Sequence, residues 1–260
     1  MAKDNDWNRE QLIVALNLYW KIPYNKISGS SNSLIKEIAP IINRSPGAIA
    51  YKLMNFTSLD IEKQKIGNKG KQAASLLDKE IWKEYFGQWE KLAFDSLKII
   101  SNIQNKPINT ILEIDEEFEF IEGKEKIRLV KTRVNQIDFR NRILASYNEK
   151  CCLTGINFKP LLVASHIIPW SKNTIERLNP KNGVCLNSFH DKAFDKGLIT
   201  ITNDFKIKLS DTILSKRKDS NIQKYFIEYE NQSISLPDRF SPSIDFLEYH
   251  QKNIFNKVNL

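Results

Sequence analysis

Histidine is scarce in this chain, with three residues among 260. Any imidazole chemistry must therefore be concentrated, and His166 and His190 both fall within residues 151–203. Cysteine is equally rare: Cys151 and Cys152 are adjacent, Cys185 is remote, and there is no C-x-x-C pair. That excludes a disulfide framework and argues against a structural zinc knuckle, so reduced, buried thiols are expected. No apolar run reaches the roughly 18 residues a membrane span needs. The start, MAKDNDWNRE, lacks the apolar core of a signal peptide, so a cytoplasmic protein without membrane association is expected. Internal repeats and low-complexity tracts are also missing.

What is present is charge. Lys and Arg number 39 against 31 Asp and Glu, a formal net charge of +8 with a pI near 9.2. A basic balance of this size favours a polyanionic partner, nucleic acid before membrane. The length allows a substantial core divided between two domains.

The first part reads as helical. WNREQLIVALNLYW places Leu12, Ile13, Leu16 and Tyr19 at helix period behind Asn8 as N-cap. NSLIKEIAPIIN carries a second stripe of Leu34, Ile35, Ile38, Ile41 and Ile42, with Pro40 late in it. Ser45-Pro46 then restarts the chain as N-cap and first helical residue of SPGAIAYKLMNF. Two short helices across a tight turn match a helix-turn-helix. On that reading the third helix offers Tyr51, Lys52 and Asn55 to DNA, with Arg44 at the turn; the alternative is an ordinary three-helix core. The polar stretch after residue 60, with Lys63, Lys65, Lys69 and Lys71, reads as a basic loop or wing along a phosphate backbone, or as a linker. Trp82, Phe86, Trp89 and Phe94 follow at helix spacing and are expected in the core.

Residues 106–130 read as a linker, between a DNA-reading domain over 1–105 and a second domain over 131–260. The second opens with the amphipathic RVNQIDFRNRILASYNEK, with Phe139, Ile143, Leu144 and Tyr147 inward. LLVASHIIPW then reads as a strand, SKNTIERLNPK as a loop, GVCLN as a strand, and SFHDKAFDKG as a short helix stopped by Gly197. Asp191 and Asp195, four apart, share a helix face and suit a hard divalent cation. His190 sits one residue off that face, placed either to ligate or to orient a neighbour. LITITN and FKIKLS form a hairpin, and a final helix holds FLEYHQKNIF, in which His250 reads as structural.

The anchors A-S-H-I-x-P-W, R-L-N-P-x-N-G-x-C-L-N and H-D-x-A-F-D-x-G resemble the HNH, or ββα-metal, nuclease motif. The outer segments resemble bacterial proteins that join a helix-turn-helix or winged-helix module to an HNH domain, several of them like restriction enzymes and some acting on modified DNA. The resemblance implies an α+β protein with an N-terminal helical, winged module and a C-terminal ββα-metal domain. It implies hydrolysis of phosphodiester bonds in double-stranded DNA, with His166 as general base and Asn182 fixing the loop. Arg177 is either a phosphate clamp or a packing residue. His190, Asp191 and Asp195 fall in the metal-binding helix. Many relatives place Asp or His directly before the base; here Ser165 stands there. The ion is then held by Asp191 and Asp195 with water, or His190 completes the shell. Mg²⁺ or Mn²⁺ is the expected ion, with Zn²⁺ or Ni²⁺ as alternatives, and a homodimer is the implied assembly for cutting both strands. The competing readings are a DNA-binding regulator with an inactive nuclease fold, and a nuclease for RNA or single strands.

Overall fold

A computed structural model describes residues 6–65, 67, 68, 70, 71, 73–112 and 123–257. The chain divides into two units, Met1–Arg142 and Ile143–Leu260. Among the described residues, no helix is long and apolar enough to cross a membrane.

The first unit is helical: α1 (Arg9–Lys21), α2 (Ser33–Ile41), α3 (Pro46–Thr57), α4 (Ile61–Lys65), α5 (Leu76–Tyr85), α6 (Trp89–Gln104), α7 (Ile108–Ile111) and most of α8 (Gly123–Ser146). Local chemistry sets the starts. Asn8 and Gln11 close a capping box on α1, and Ser45 caps α3 ahead of Pro46, satisfying amides that a helix leaves without internal partners. Leu12, Leu16, Ile35, Ile49, Leu53 and Phe56 are buried at helical spacing. An aromatic cluster continues this core: Trp20 and Trp82 lie 5.0 Å apart and Trp20 and Trp89 5.5 Å. At the α8 end, buried Asp138 pairs with Arg142 and, at 2.8 Å, with Lys21. Burial alone would raise its pKa, but the two cations hold it below the usual range.

Two details of the first unit bear on the sequence reading. Among the described residues the first unit contains no strand, so the basic stretch after residue 60 forms α4 and a loop instead of a β wing. That loop folds back on α3: the Lys71 amide donates to the Met54 carbonyl at 3.0 Å. Gly70 (φ +63°) lies so close to Ser58 and Met54 backbone that a Cβ would come within 2.7 Å. α8 begins at Gly123, inside the stretch expected to be linker.

The second unit holds both sheets. β1 (Leu162–His166) pairs antiparallel with β2 (Gly183–Asn187), Leu162 opposite Asn187 and His166 opposite Gly183. The chain runs directly from β2 into α9 (Ser188–Asp195), which packs on both strands. β3 (Ile199–Ile201) and β4 (Ile207–Leu209) form the expected hairpin. They are followed by α10 (Asp211–Ser215), α11 (Ser220–Tyr225) and α12 (Ile244–Asn253). His250 of α12 clamps α9 to β3. Its ring stacks on Phe194 at 3.8 Å, Nδ1 meets Thr200 Oγ1 at 2.8 Å, and Nε2 meets the Phe194 carbonyl at 3.1 Å. Gly197, at φ +65°, ends α9 against the C-terminal segment, where a Cβ would stand 2.1 Å from the Ile254 carbonyl oxygen.

Candidate active site

Strand β1 ends at His166 because Pro169 follows and the chain turns into a loop over 167–182. That loop carries almost no regular structure, so its polar groups must be satisfied individually. Asn182, fully buried, does most of this: Oδ1 accepts from the Ile168 amide at 2.8 Å, while Nδ2 donates to the Ile168 and Glu176 carbonyls at 3.2 and 3.4 Å. The Ile167 amide donates to the Asn182 carbonyl at 3.0 Å. Asn182 thereby staples the far end of the loop to the two residues after His166, which makes it a positioning residue.

The staple brings the Arg177 carbonyl to His166 Nε2 at 2.9 Å. A carbonyl only accepts, so the neutral ring carries its proton on Nε2 and its lone pair on Nδ1. Burial pushes the His166 pKa below its ordinary value, against a smaller opposing pull from that carbonyl. The ring remains partly exposed and meets Trp170 edge-on at 5.5 Å. A neutral, oriented and reachable imidazole has the properties of a general base. Arg177 itself lies over the Trp170 ring at 5.0 Å and donates from Nε to the Thr174 carbonyl at 3.1 Å. Its main-chain oxygen orients the histidine while its side chain braces the loop.

Across from β1, α9 presents Asp191 and Asp195 one turn apart. Burial raises both carboxyl pKa values, and the charge on Asp191 adds to the rise at Asp195. Lys192 opposes both rises, and attraction to the Ser165 hydroxyl also acts on Asp191. Ser165 is 2% exposed, and among the described residues its Oγ makes no hydrogen bond of ordinary geometry. Two mutually repelling carboxylates beside a buried hydroxyl fit a hard divalent cation.

His190 does not join them. It is 3% exposed, with Nε2 donating to the Tyr225 carbonyl at 2.8 Å and Nδ1 accepting from Asn187 Nδ2 at 2.9 Å. Both nitrogens are engaged inside the protein, so the expected metal ligand is a structural strut. Among the described residues no group of three or more His, Cys, Asp or Glu is placed to hold a metal. Asn187 went unnoticed in the sequence. It caps α9, accepting from the Phe189 and His190 amides, and the same side chain sets the His190 tautomer. An Asn directly before S-F-H-D was the available signal.

The expected DNA-reading residues of the first unit scatter. Tyr51 is 47% exposed, with Lys71 Nζ 5.0 Å above its ring. Lys52 and Asn55, expected on the solvent face of α3, are 6% and 3% exposed. Lys52 is drawn inward by Asp78, whose two carboxylate oxygens accept from Nζ at 3.0 and 2.9 Å. Asn55 turns into the core, so neither residue is presented to a ligand. Arg44 hydrogen-bonds Gln11 and the Asp6 carbonyl and lies over Trp7. It lines a polar cavity of about 430 Å³ with Asn8, Gln11 and Ser45. Lys69 lies outside the described residues.

Two antiparallel strands, a loop-held histidine at the end of the first, and a helix bearing paired carboxylates after the second form a ββα arrangement. Residues 151–202 match the HNH endonuclease family model. This segment is assigned to the HNH family, and HNH nucleases generally use divalent metal ions and act on DNA. No curated protein matches the chain.

Proposed function

We propose that this chain is a metal-dependent endonuclease of restriction type that hydrolyses double-stranded DNA. The observation that carries this reading is the His166 ring, its Nε2 proton committed to the Arg177 carbonyl and its Nδ1 lone pair on the other side. His166 takes a proton from water through Nδ1, and the hydroxide attacks phosphorus in line. The phosphorus–oxygen bond to the 3′ oxygen breaks, that oxygen recovers a proton, and a 5′-phosphate end remains. Asn182 and the Arg177 main chain hold the imidazole in its working tautomer throughout.

Asp191 and Asp195 would hold the divalent ion, with Ser165 beside them. The ion supplies charge neutralisation at the phosphate and the departing oxygen. With two carboxylates and, among the described residues, no third protein ligand beside them, water-rich Mg²⁺ or Mn²⁺ fits this set better than Zn²⁺ or Ni²⁺. Selectivity for modified DNA and action as a homodimer complete the reading, both resting on resemblance. The experiment is nicking of supercoiled plasmid, modified and unmodified, with Mg²⁺ or Mn²⁺ and with EDTA. Cleavage lost in EDTA supports the reading. Duplex binding with no cleavage under any of these ions favours the inactive regulator, and preference for RNA or single strands favours the other alternative.

A further inference from the structure

We propose that the segment over residues 211–229, beyond the part matched by the family, is the surface with which the nuclease unit grips the phosphate backbone of duplex DNA. This rests on the nuclease reading above. Lys216, Arg217 and Lys218 are consecutive, exposed, and among the described residues make no ion pair. They occupy the turn between α10 and α11, and Lys224 follows on α11 with Nζ 5.4 Å from the Tyr225 ring. Asp219 follows them directly, but its carboxylate caps α11 and accepts from the Asn221 and Ile222 amides, which leaves the three adjacent cations as an electrostatic footprint for a polyanion.

The footprint is tied to the catalytic helix. His190, next to Asp191, donates from Nε2 to the Tyr225 carbonyl. Its ring is enclosed by Phe189, Phe226 and Tyr229 at 5.3 to 5.6 Å. The basic turn is therefore held against the element that carries the candidate metal ligands. Along α9 and its C-cap, Phe189, Lys192 and Lys196 follow helical spacing and form a stripe beside that of Asp191 and Asp195. A polyanion cut at the carboxylates would run past these cations.

The aromatic residues indicate which form of DNA. Phe189 and Tyr225 are 53% and 43% exposed, with rings 5.7 Å apart at 66°. They are locked edge to face, and Lys224 stands over the tyrosine ring. That contact and the lysine occupy part of the ring surface on which a single-stranded base would stack. The surface suits a backbone contact along a duplex, with the rings as an apolar ledge at its rim.

The test uses the full chain in EDTA, with fluorescence anisotropy on labelled duplex and single-stranded DNA across a salt series. The variant K216A/R217A/K218A should bind duplex about tenfold or more weakly. Its plot of log K against log salt should flatten by roughly 2.7, about 0.9 for each phosphate that is no longer neutralised. The control K159A/K206A/K252A removes the same formal charge from lysines already paired with Glu149, Asp204 and Glu248. It should bind like the parent chain. Parental affinity and slope in the first variant, an equal loss in the control, a loss confined to single strands, or no duplex binding by the parent would each overturn the proposal. Because binding is read without metal, a parent that binds duplex but never cleaves removes the nuclease reading and leaves this one to be decided on its own data.

Discussion

His166 Nε2 and the Arg177 carbonyl oxygen lie 2.9 Å apart, joined across a loop whose other end is pinned by Asn182. The bond decides which nitrogen of the neutral ring carries the proton. Burial lowers the His166 pKa, so the ring stays neutral to lower pH than an exposed histidine does. The acid limb of a kcat/KM profile should therefore have its midpoint below about 6.5, the ordinary histidine value. A midpoint above that value would contradict the assignment.

Asn182→Ala removes a buried amide and leaves the Ile168 amide and carbonyl without that partner. A loss of about 1–3 kcal/mol in folding stability is expected, from the cost of burying unsatisfied polar groups. Urea unfolding measures it. Cleavage at temperatures where the variant is fully folded should fall as well, because the loop no longer presents the Arg177 carbonyl.

Asp191→Asn and His190→Gln separate ligand from strut. Asp191→Asn should raise the Mn²⁺ concentration for half-maximal cleavage by at least the roughly 10–100-fold typical of disturbing a metal's outer partners. His190→Gln should lower stability while leaving that concentration near its parental value. A metal titration on both variants reads this, and a large shift in the glutamine variant would restore His190 as a ligand.

Much of this was legible in the sequence because the information was local. The capping residues Asn8 and Ser45 and the Asp191–Asp195 spacing all act within a few residues. Lys52 and His190 failed for the opposite reason: their fates are set by Asp78 and Tyr225, distant in sequence, and helix periodicity carries no trace of such partners. Periodicity placed Lys52 on the outer face of α3, and a buried carboxylate capping α5 overrode it.

The Lys52 correction is testable. The Lys52–Asp78 pair is buried, so Lys52→Ala strands a carboxylate and should cost about 3–5 kcal/mol in stability. DNA affinity of the folded fraction should be unchanged. A stable variant with weakened DNA binding would return Lys52 to the solvent-facing role.

Stability should also fall in mild acid. Burial holds the His250 pKa down to about 4, against an ordinary 6.5. As pH drops through that window the unfolded chain takes up the proton first, so stability complete above pH 6.5 is lost progressively toward pH 4. The loss approaches about 3 kcal/mol from this residue. The lowered values at His166 and His190 act in the same direction, and the raised carboxyls of Asp191 and Asp195 act against it. Urea midpoints at several pH values, for the parent and for His250→Gln, measure the difference.

The most direct measurement is single-turnover cleavage of duplex DNA by the parent chain and by His166→Ala, under Mg²⁺ or Mn²⁺, with duplex binding measured in parallel. A rate lower by about 10²–10⁴ in the variant, with affinity retained, is the predicted result for a lost general base. Cleavage by the variant at the parental rate would contradict it.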